Sequence, residues 1–224
     1  DWLMALKNGI DRYPDCKVFA SCQLSADNPD KLDAAGDSYL AFGFPWQNGK
    51  GQSVDLLPDG DRECFSASGA SAVYSRQLFL SIGGFDERFF CYCEDVDLGF
   101  RLQRAGETCI FVRQALVLHH GSALTQHGSY FTLFHGTRNS IWMYLKNSPL
   151  WLLVITFPAH LFLHLYIYAR NKPSMTHSGM RDGLIEGYKR GLGVRRSSAY
   201  NRKSDISIQR VFRIMAFNPY RMIR

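Results

Sequence analysis

Apolar residues recur at helical spacing in several parts of the chain. Residues 1–13 place apolar side chains on one helical face behind Asp1, which can cap the first turn, so an amphipathic helix is predicted there. The segment 94–105 has an acidic first turn and a stop at Gly106, which are typical helix boundaries. Helices are also predicted over 76–82, 129–146 and, weakly because glycines interrupt it, 179–193.

Shorter apolar runs predict strands over 18–24, 108–112 and 116–119. The stretch 26–63 is rich in Asp, Gly, Asn and Pro, and we expect it to be mostly loop. Small apolar residues follow it at 64–73, with Gly69 in the middle, which permits close approach of a ligand or another element.

The segment 150–169 contains no charged residue and, as a straight helix, would be roughly 30 Å long, about the thickness of a bilayer core. Pro158, His160 and His164 argue against a simple membrane span. Three interpretations stay open: a span, a core helix, and the one we favour, an interfacial or Pro-broken re-entrant segment.

Composition and charge narrow the function classes. The 224 residues are 46% apolar and 21% charged, which excludes disorder throughout and a collagen-like chain. The net charge of +6 is unevenly distributed: residues 1–169 carry 13 basic and 17 acidic residues, whereas 170–224 carry 13 basic and 3 acidic ones. This basic tail favours an anionic membrane surface over nucleic acid, and a plain solvated tail is also preferred to nucleic acid. Nucleic acid is the weaker alternative, because no nucleic-acid module accompanies the tail.

The six cysteines have no C-x-x-C spacing, and no signal peptide is evident, which favours free thiols in a reducing, cytoplasmic compartment. A zinc site could be drawn from Cys91, Cys93, His119 and His120. Their C-x-C spacing and adjacent histidines fit structural zinc patterns poorly, so we do not favour it.

The strongest local feature is an acidic cluster at the predicted start of the 94–105 helix. Glu94, Asp95 and Asp97 could simply cap that helix, or they could provide a general base or a metal site. His119, at the end of a predicted strand, could bind a divalent metal or donate to phosphate, or be an ordinary strand-end histidine.

These residues also carry a family resemblance. Gly69-Ala70, then GGFDERFF, then EDVDLGFRLQRAG, then VLHHGS, resemble family 2 glycosyltransferases over about residues 1–149. The rhamnosyltransferase-like bacterial members, which build cell-surface polysaccharides, are the most similar. The resemblance implies an α/β fold: a partial GT-A domain, with a Rossmann-like mixed sheet and flanking helices, followed by C-terminal membrane-associated helices.

The resemblance further implies inverting transfer from a nucleotide-sugar donor to a lipid-linked or polysaccharide acceptor. Asp95 would then be the general base, Glu94 would position the acceptor or support Asp95, and His119 would approach a metal–diphosphate group. The divalent metal would be Mg²⁺ or Mn²⁺. The substrate-binding segment would be Gly69, Ala70 and Ser71. We expect structural roles for Asp86, Glu87, Asp97 and Arg101, and packing roles for Cys91 and Cys93.

One departure from the family pattern concerns its nucleotide-binding half, which ends in a metal-holding Asp-x-Asp motif. The D-x-D triplets here, 59–61 and 95–97, do not occupy the expected place. We therefore expect the C-terminal part of a longer enzyme, with little donor affinity alone and an exposed sheet edge with apolar surface.

The expected divisions are a catalytic, acceptor-side part at 1–147, an apolar membrane-associated segment at 148–170 and a basic tail at 171–224. Because nucleotide sugars are cytosolic, this arrangement predicts the cytoplasmic face of the membrane. Two other functions stay open: a non-catalytic membrane-binding scaffold, and a metal-dependent hydrolase using the three carboxylates and His119.

Overall fold

The computed structural model describes residues 1–57, 59–121, 128–171, 177–197 and 207–218. The helices there are α1 (Trp2–Arg12), α2 (Arg76–Ser81), α3 (Glu94–Arg104), α4 (Tyr130–Asn147), α5 (Leu150–Arg170), α6 (His177–Ser197) and α7 (Ile208–Ile214). The strands are β1 (Val18–Ser25), β2 (Leu32–Ala35), β3 (Asp37–Leu40), β4 (Phe44–Gln47), β5 (Arg62–Cys64), β6 (Ala72–Tyr74) and β7 (Cys109–His119). Short 3-10 turns lie at 54–56 and 87–89.

The main sheet is mixed and centres on β1, which confirms the expected α/β class. β1 pairs in parallel with β7 and antiparallel with β2 and β6, while β5 pairs antiparallel with the other side of β7. β3 and β4 form a separate antiparallel hairpin. Strand β1 lies between β2 and β7, and the side chains of Asp33 and His119 meet across its carboxyl end.

β7 replaces the two strands predicted at 108–112 and 116–119. Its pairing with β1 runs through Val112, then shifts by three residues and resumes at Leu116. The polar residues between them, 113–114, interrupt the apolar run without ending the strand.

The stretch 26–63, expected to be mostly loop, contains more regular structure than predicted. Three strands (β2 to β4), a 3-10 turn and most of β5 lie within this range. These strands have only three or four residues and little alternation, so their stability comes from partners distant in sequence. Ala34 and Ala35, for example, are fully buried where β2 pairs with β1.

Strand β6 lies at an edge of the sheet with its residues partly exposed, and apolar side chains are exposed on α1. Among the described residues, β6 pairs with β1 alone. Helix α1 exposes 68% of Leu3 and 52% of Met4.

One core cluster joins elements from all three predicted regions. Tyr39 stacks on Phe65 at 4.9 Å and meets the edge of Phe100 at 5.1 Å. Val194 and Val211, from α6 and α7, are buried in the same cluster. Packing is therefore continuous across residues 147 and 170.

Helix α6 lies against α4 through a stripe of glycines spaced four residues apart. A Cβ at Gly179 or Gly183 would come 2.6 and 2.7 Å from backbone carbonyl oxygens of α4, those of Tyr130 and Phe134. Gly187 and Gly191 continue the stripe against Ile141 and Leu145. The glycines that weakened the helix prediction are therefore what permits this close packing.

Helix α5 runs unbroken through Pro158, so the predicted break is absent. By length and apolarity alone it could cross a membrane. One face is buried and carries Leu152, Leu153, His160 and His164. The opposite face is apolar and exposed, and includes Val154, Ile155, Phe162, Leu165 and Tyr166.

Candidate functional site

The segment leading into α3 has an unusual backbone. Phe90, Tyr92 and Cys93 have φ values of 64°, 69° and 65°, in a region that side-chain-bearing residues rarely adopt. Such a conformation costs on the order of 1–3 kcal/mol per residue and persists only where surrounding contacts impose it. The strained segment ends at Cys93, immediately before Glu94 and Asp95.

Asn139, fully buried on α4, holds this segment in place. Its side-chain amide nitrogen lies 2.9 Å from Phe89 O, 2.7 Å from Cys91 O and 2.8 Å from Tyr92 O. No local pattern identifies Asn139 in the sequence, because the contact spans nearly 50 residues. Its role is to fix the position of the two carboxylates that follow the strained segment.

Asp95 is held by backbone donors on both carboxylate oxygens. Oδ2 accepts from the Gly69 N–H at 2.8 Å, and Oδ1 accepts from the Val96 N–H at 2.8 Å. Burial raises the pKa of Asp95 above its usual value, and these backbone hydrogen bonds only partly oppose that rise. The result is a fixed carboxylate that is more basic than an ordinary aspartate.

Glu94 lies beside Asp95, and its Oε2 is buried without a hydrogen-bond partner among the residues that the structure describes. Burial first, and the charge of Asp95 second, raise the pKa of Glu94. An unpartnered buried oxygen next to a cleft suits an incoming hydroxyl group.

Glu94 borders a cleft of about 420 Å³, and Asp95 lies directly behind that wall, against the lining residue Gly69. The lining residues of the cleft are Gly69, Phe85, Asp86, Glu87, Phe90 and Glu94. Phe90 is 75% exposed, and Phe85 is also exposed. Apolar ring faces combined with a few carboxylates suit a sugar, which presents both C–H faces and hydroxyl groups. The two phenylalanines were not predicted as site residues.

Asp37, on β3, adds a third carboxylate that influences this site. It is buried and accepts a 2.9 Å hydrogen bond from Ser66 Oγ. Burial, and then the charge of Asp95, raise the pKa of Asp37 well above its usual value. It too was missed, because nothing near it in sequence marks it as a neighbour of Asp95.

Asp97 serves the fold, as expected. It is fully buried and lies 2.7 Å from Lys146 Nζ, 2.7 Å from Asn147 Nδ2 and 2.9 Å from Arg101 Nε. Asp86 accepts from the same lysine at 2.7 Å, which confirms its structural role too. Because Asp97 is fully engaged, the carboxylate trio that the hydrolase hypothesis requires does not form.

The 69–71 segment divides between surface and interior. Gly69 and Ala70 are exposed, and Gly69 borders the cleft. Ser71 is buried, and its Oγ accepts a 2.8 Å hydrogen bond from Gln23 Nε2. Ser71 therefore fixes the segment to β1 and does not face the cleft.

His119 lies at the carboxyl end of β7, with its Nδ1 2.6 Å from Asp33 Oδ2. Lys50 Nζ is 3.2 Å from the other oxygen of Asp33. Burial alone would raise the pKa of Asp33, but the hydrogen bond from His119 and the charge of Lys50 lower it overall. This contact resembles the carboxylate–histidine pairs that support metal-binding histidines, in which the other ring nitrogen would bind the ligand.

The described residues do not supply a full metal site around His119. They contain no group of three or more His, Cys, Asp or Glu side chains placed to hold a metal ion. Mg²⁺ and Mn²⁺ prefer several oxygen ligands, and one imidazole nitrogen does not meet that need. The four residues of the disfavoured zinc hypothesis form no such group either, in the part of the chain described.

The D-x-D triplet at 59–61 is also structural. Asp61 accepts from Arg12 at 2.6 Å and from the backbone N–H of Arg113 at 2.9 Å, which clamps α1 to β7. Asp59 is exposed.

Comparison with known proteins connects this geometry to one family. A family model described as "Glycosyl transferase family group 2" matches residues 59–176. The chain is similar to the N-acetylglucosaminyl-diphospho-decaprenol L-rhamnosyltransferase of Mycobacterium tuberculosis, with 37% identity over 107 residues, 44% of this chain and 34% of that protein. It is also similar to the O-antigen biosynthesis protein RfbC of Myxococcus xanthus, with 40% identity over 62 residues, 28% of this chain and 5% of that protein. The chain thus spans about a third of the mycobacterial relative's length and a much smaller share of RfbC.

Proposed function

Because the chain belongs to glycosyl transferase family group 2, we propose that it transfers a sugar from a nucleotide-sugar donor to an acceptor hydroxyl, with inversion at the anomeric carbon. The observation that carries this proposal is the fixed, basic Asp95 next to Glu94, which borders an aromatic-lined cleft. The family match supports the reaction class, and the cleft supports a sugar as the bound group.

The proposed step is a single displacement. The acceptor oxygen attacks the anomeric carbon of the donor sugar, and the bond from that carbon to the phosphate oxygen breaks. The nucleoside diphosphate leaves with the bonding electrons, and the hydroxyl proton passes to Asp95. A raised pKa favours this transfer, since a more basic carboxylate takes a proton from a weak acid more readily. Glu94 orients the hydroxyl.

Family 2 glycosyltransferases commonly use divalent metals, which would neutralise charge on the leaving diphosphate. In this chain, His119 is the residue proposed to face that group, held by Asp33. Further ligands would have to come from outside the described residues, which place no group of three or more His, Cys, Asp or Glu side chains to hold a metal ion.

We propose a lipid-linked glycan as the acceptor. The mycobacterial relative is named for a decaprenol-linked substrate, and RfbC is named for O-antigen biosynthesis. A polysaccharide acceptor without a lipid is the alternative.

The exposed apolar face of α5 supports a place at the cytoplasmic face of the membrane. Its opposite face is packed into the protein, so the helix is suited to lie in the interface rather than to cross it. Basic side chains on the adjacent α6 can attract anionic headgroups. Those exposed are Arg181, Lys189, Arg190 and Arg196.

The reaction class can be tested on the protein produced from its complete reading frame. We expect a nucleotide-activated rhamnose and a decaprenol-diphosphate-linked N-acetylglucosamine to give a disaccharide lipid with inverted anomeric configuration, read by mass spectrometry and NMR. Release of free sugar alone would favour a hydrolase. No turnover, with vesicle binding retained, would favour a scaffold.

A further inference from the structure

A second cavity, of about 280 Å³, lies on the other side of the strained segment from the cleft. It forms where α4, α5 and α6 meet strand β4. Its wall includes Phe44, Leu133, Gly136, Ile167 and Met180. The acceptor cleft does not share these residues.

Polar side chains in the cavity wall are engaged with the protein. His164 Nε2 lies 3.2 Å from Ser140 Oγ, and its Nδ1 lies 3.0 Å from His160 O. Ser140 also donates to Thr137 O, at 2.9 Å, and Thr132 Oγ1 donates to Ser129 O at 3.0 Å. The cavity therefore presents mainly apolar groups to an occupant, and it favours a hydrocarbon over a polar ligand.

The cavity and the cleft meet at one peptide bond. Cys93 lines the cavity, and Glu94, the next residue, lines the cleft. Consecutive Cα atoms are only about 3.8 Å apart. The two spaces therefore come close together at this segment, and an apolar chain attached to a sugar at Glu94 would start near the cavity.

We propose that this cavity binds the first isoprene units of a polyprenyl-linked acceptor while its sugar lies in the cleft beside Glu94 and Asp95. The inference deepens the proposed transferase function and rests on it. It assigns the lipid chain a binding site in the protein, in addition to the bilayer.

Size and position limit what the cavity holds. Small-molecule sites usually measure roughly 300–1,000 Å³, so about 280 Å³ suits a short piece of chain rather than a whole polyprenyl tail. Helix α5 contributes Ile167 to the cavity and exposes its other face. A lipid whose tail stays in a bilayer against that outer face needs to pass around only one helix, roughly 10 Å across.

Gly136 offers a way to fill the cavity without disturbing its wall. A Cβ at this position meets no atom within 4 Å, so Gly136→Leu projects into the open space. Gly193, on α6 and outside the cavity lining, has the same open surroundings. Gly193→Leu is therefore a matched control, and both substitutions improve helix propensity.

The test uses farnesyl phosphate with a diazirine on its terminal isoprene unit, a probe that reports on the cavity without a membrane. We expect photolabelling of the wild-type chain on α4 between 132 and 140 and on Met180. Gly136→Leu should reduce this labelling at least tenfold, and Gly193→Leu should leave it within twofold. Circular dichroism and thermal melting check that both variants are folded.

Unchanged labelling in folded Gly136→Leu, or labelling confined to the outer face of α5, would overturn the cavity assignment. Asp95→Asn separates this result from the proposed function. It should label like the wild type while losing sugar transfer. If Asp95→Asn transfers normally, the proposed base is wrong even where the cavity binds lipid.

Discussion

His119 Nδ1 lies 2.6 Å from Asp33 Oδ2, a contact that joins the end of β7 to β2. A carboxylate accepts from this nitrogen, so we expect the proton on Nδ1 and ligand binding, if any, through Nε2. In Asp33→Ala the proton should no longer be held on Nδ1 of His119. Sugar transfer should then fall by about 10–100-fold, the range typical for such supporting groups. Nitrogen NMR of His119 should show the tautomer change directly.

Asp30→Ala is the control for that experiment, because Asp30 is an exposed aspartate close in sequence. It should alter neither the His119 signal nor transfer. A normal His119 tautomer and full activity in Asp33→Ala would show that the contact has no positioning role.

The Asp33–His119 contact also shows where sequence reasoning stops. Helices α1, α3 and α4 were predicted to within about two residues because their periodicity and caps are local. Asp33 lies in a stretch predicted as loop, and its partner is distant in the chain. Asn139 and Asp37 were missed for the same reason.

Helix α6 illustrates a different limit. Its glycines lower helix propensity, so the sequence alone predicted a weak helix. The same glycines allow the close approach to α4 that stabilises it. That gain depends on a second helix, and no local rule can include it.

Breaking the buried Lys146–Asp97 pair should cost far more stability than breaking an exposed ion pair of the same length. Lys146 Nζ lies 2.7 Å from Asp97 Oδ1, and both side chains are almost fully buried. Lys146→Met would leave a buried carboxylate short of a partner and should lower the free energy of unfolding by about 3 kcal/mol. Urea unfolding measures this change.

The exposed pair of Lys7 and Asp11 provides the comparison, since its separation is also 2.7 Å. Lys7→Met should change the free energy of unfolding by less than about 0.5 kcal/mol. Equal effects of the two substitutions would contradict the role of burial in this account.

The glycine stripe predicts a clear difference between two conservative substitutions on α6. Gly183→Ala places a methyl group 2.7 Å from Phe134 O, so the helices must separate, which should cost about 1–3 kcal/mol. Gly193→Ala meets open space and should be neutral or stabilising. Thermal melting of both variants tests this. A Gly183→Ala variant as stable as Gly193→Ala would argue against close packing.

His160 predicts a loss of stability in mild acid. It is fully buried and stacks on Tyr144, with ring centroids 3.9 Å apart. Burial, and then the nearby His164, lower its pKa to about 3. In the unfolded chain the His160 imidazole takes up a proton near pH 6.5, whereas in the folded protein it stays neutral until about pH 3. The free energy of unfolding is therefore highest above pH 6.5 and declines as the pH falls toward 3.

This loss should reach about 2 kcal/mol between pH 7 and pH 5. His160→Gln should reduce the dependence of unfolding free energy on pH over that interval. His120→Gln, at an exposed position, should preserve it. Identical pH dependence in wild type and His160→Gln would contradict the assignment.

The central claim is that Asp95 takes the proton from the acceptor hydroxyl, and kcat for sugar transfer by Asp95→Asn tests it most directly. Asparagine keeps the shape and can still accept from the Gly69 N–H but cannot act as a base. We predict a fall in kcat of about 10²–10⁴-fold, with acceptor binding retained and with exposed Asp59→Asn active as wild type. A kcat for Asp95→Asn within a few-fold of wild type would contradict the account.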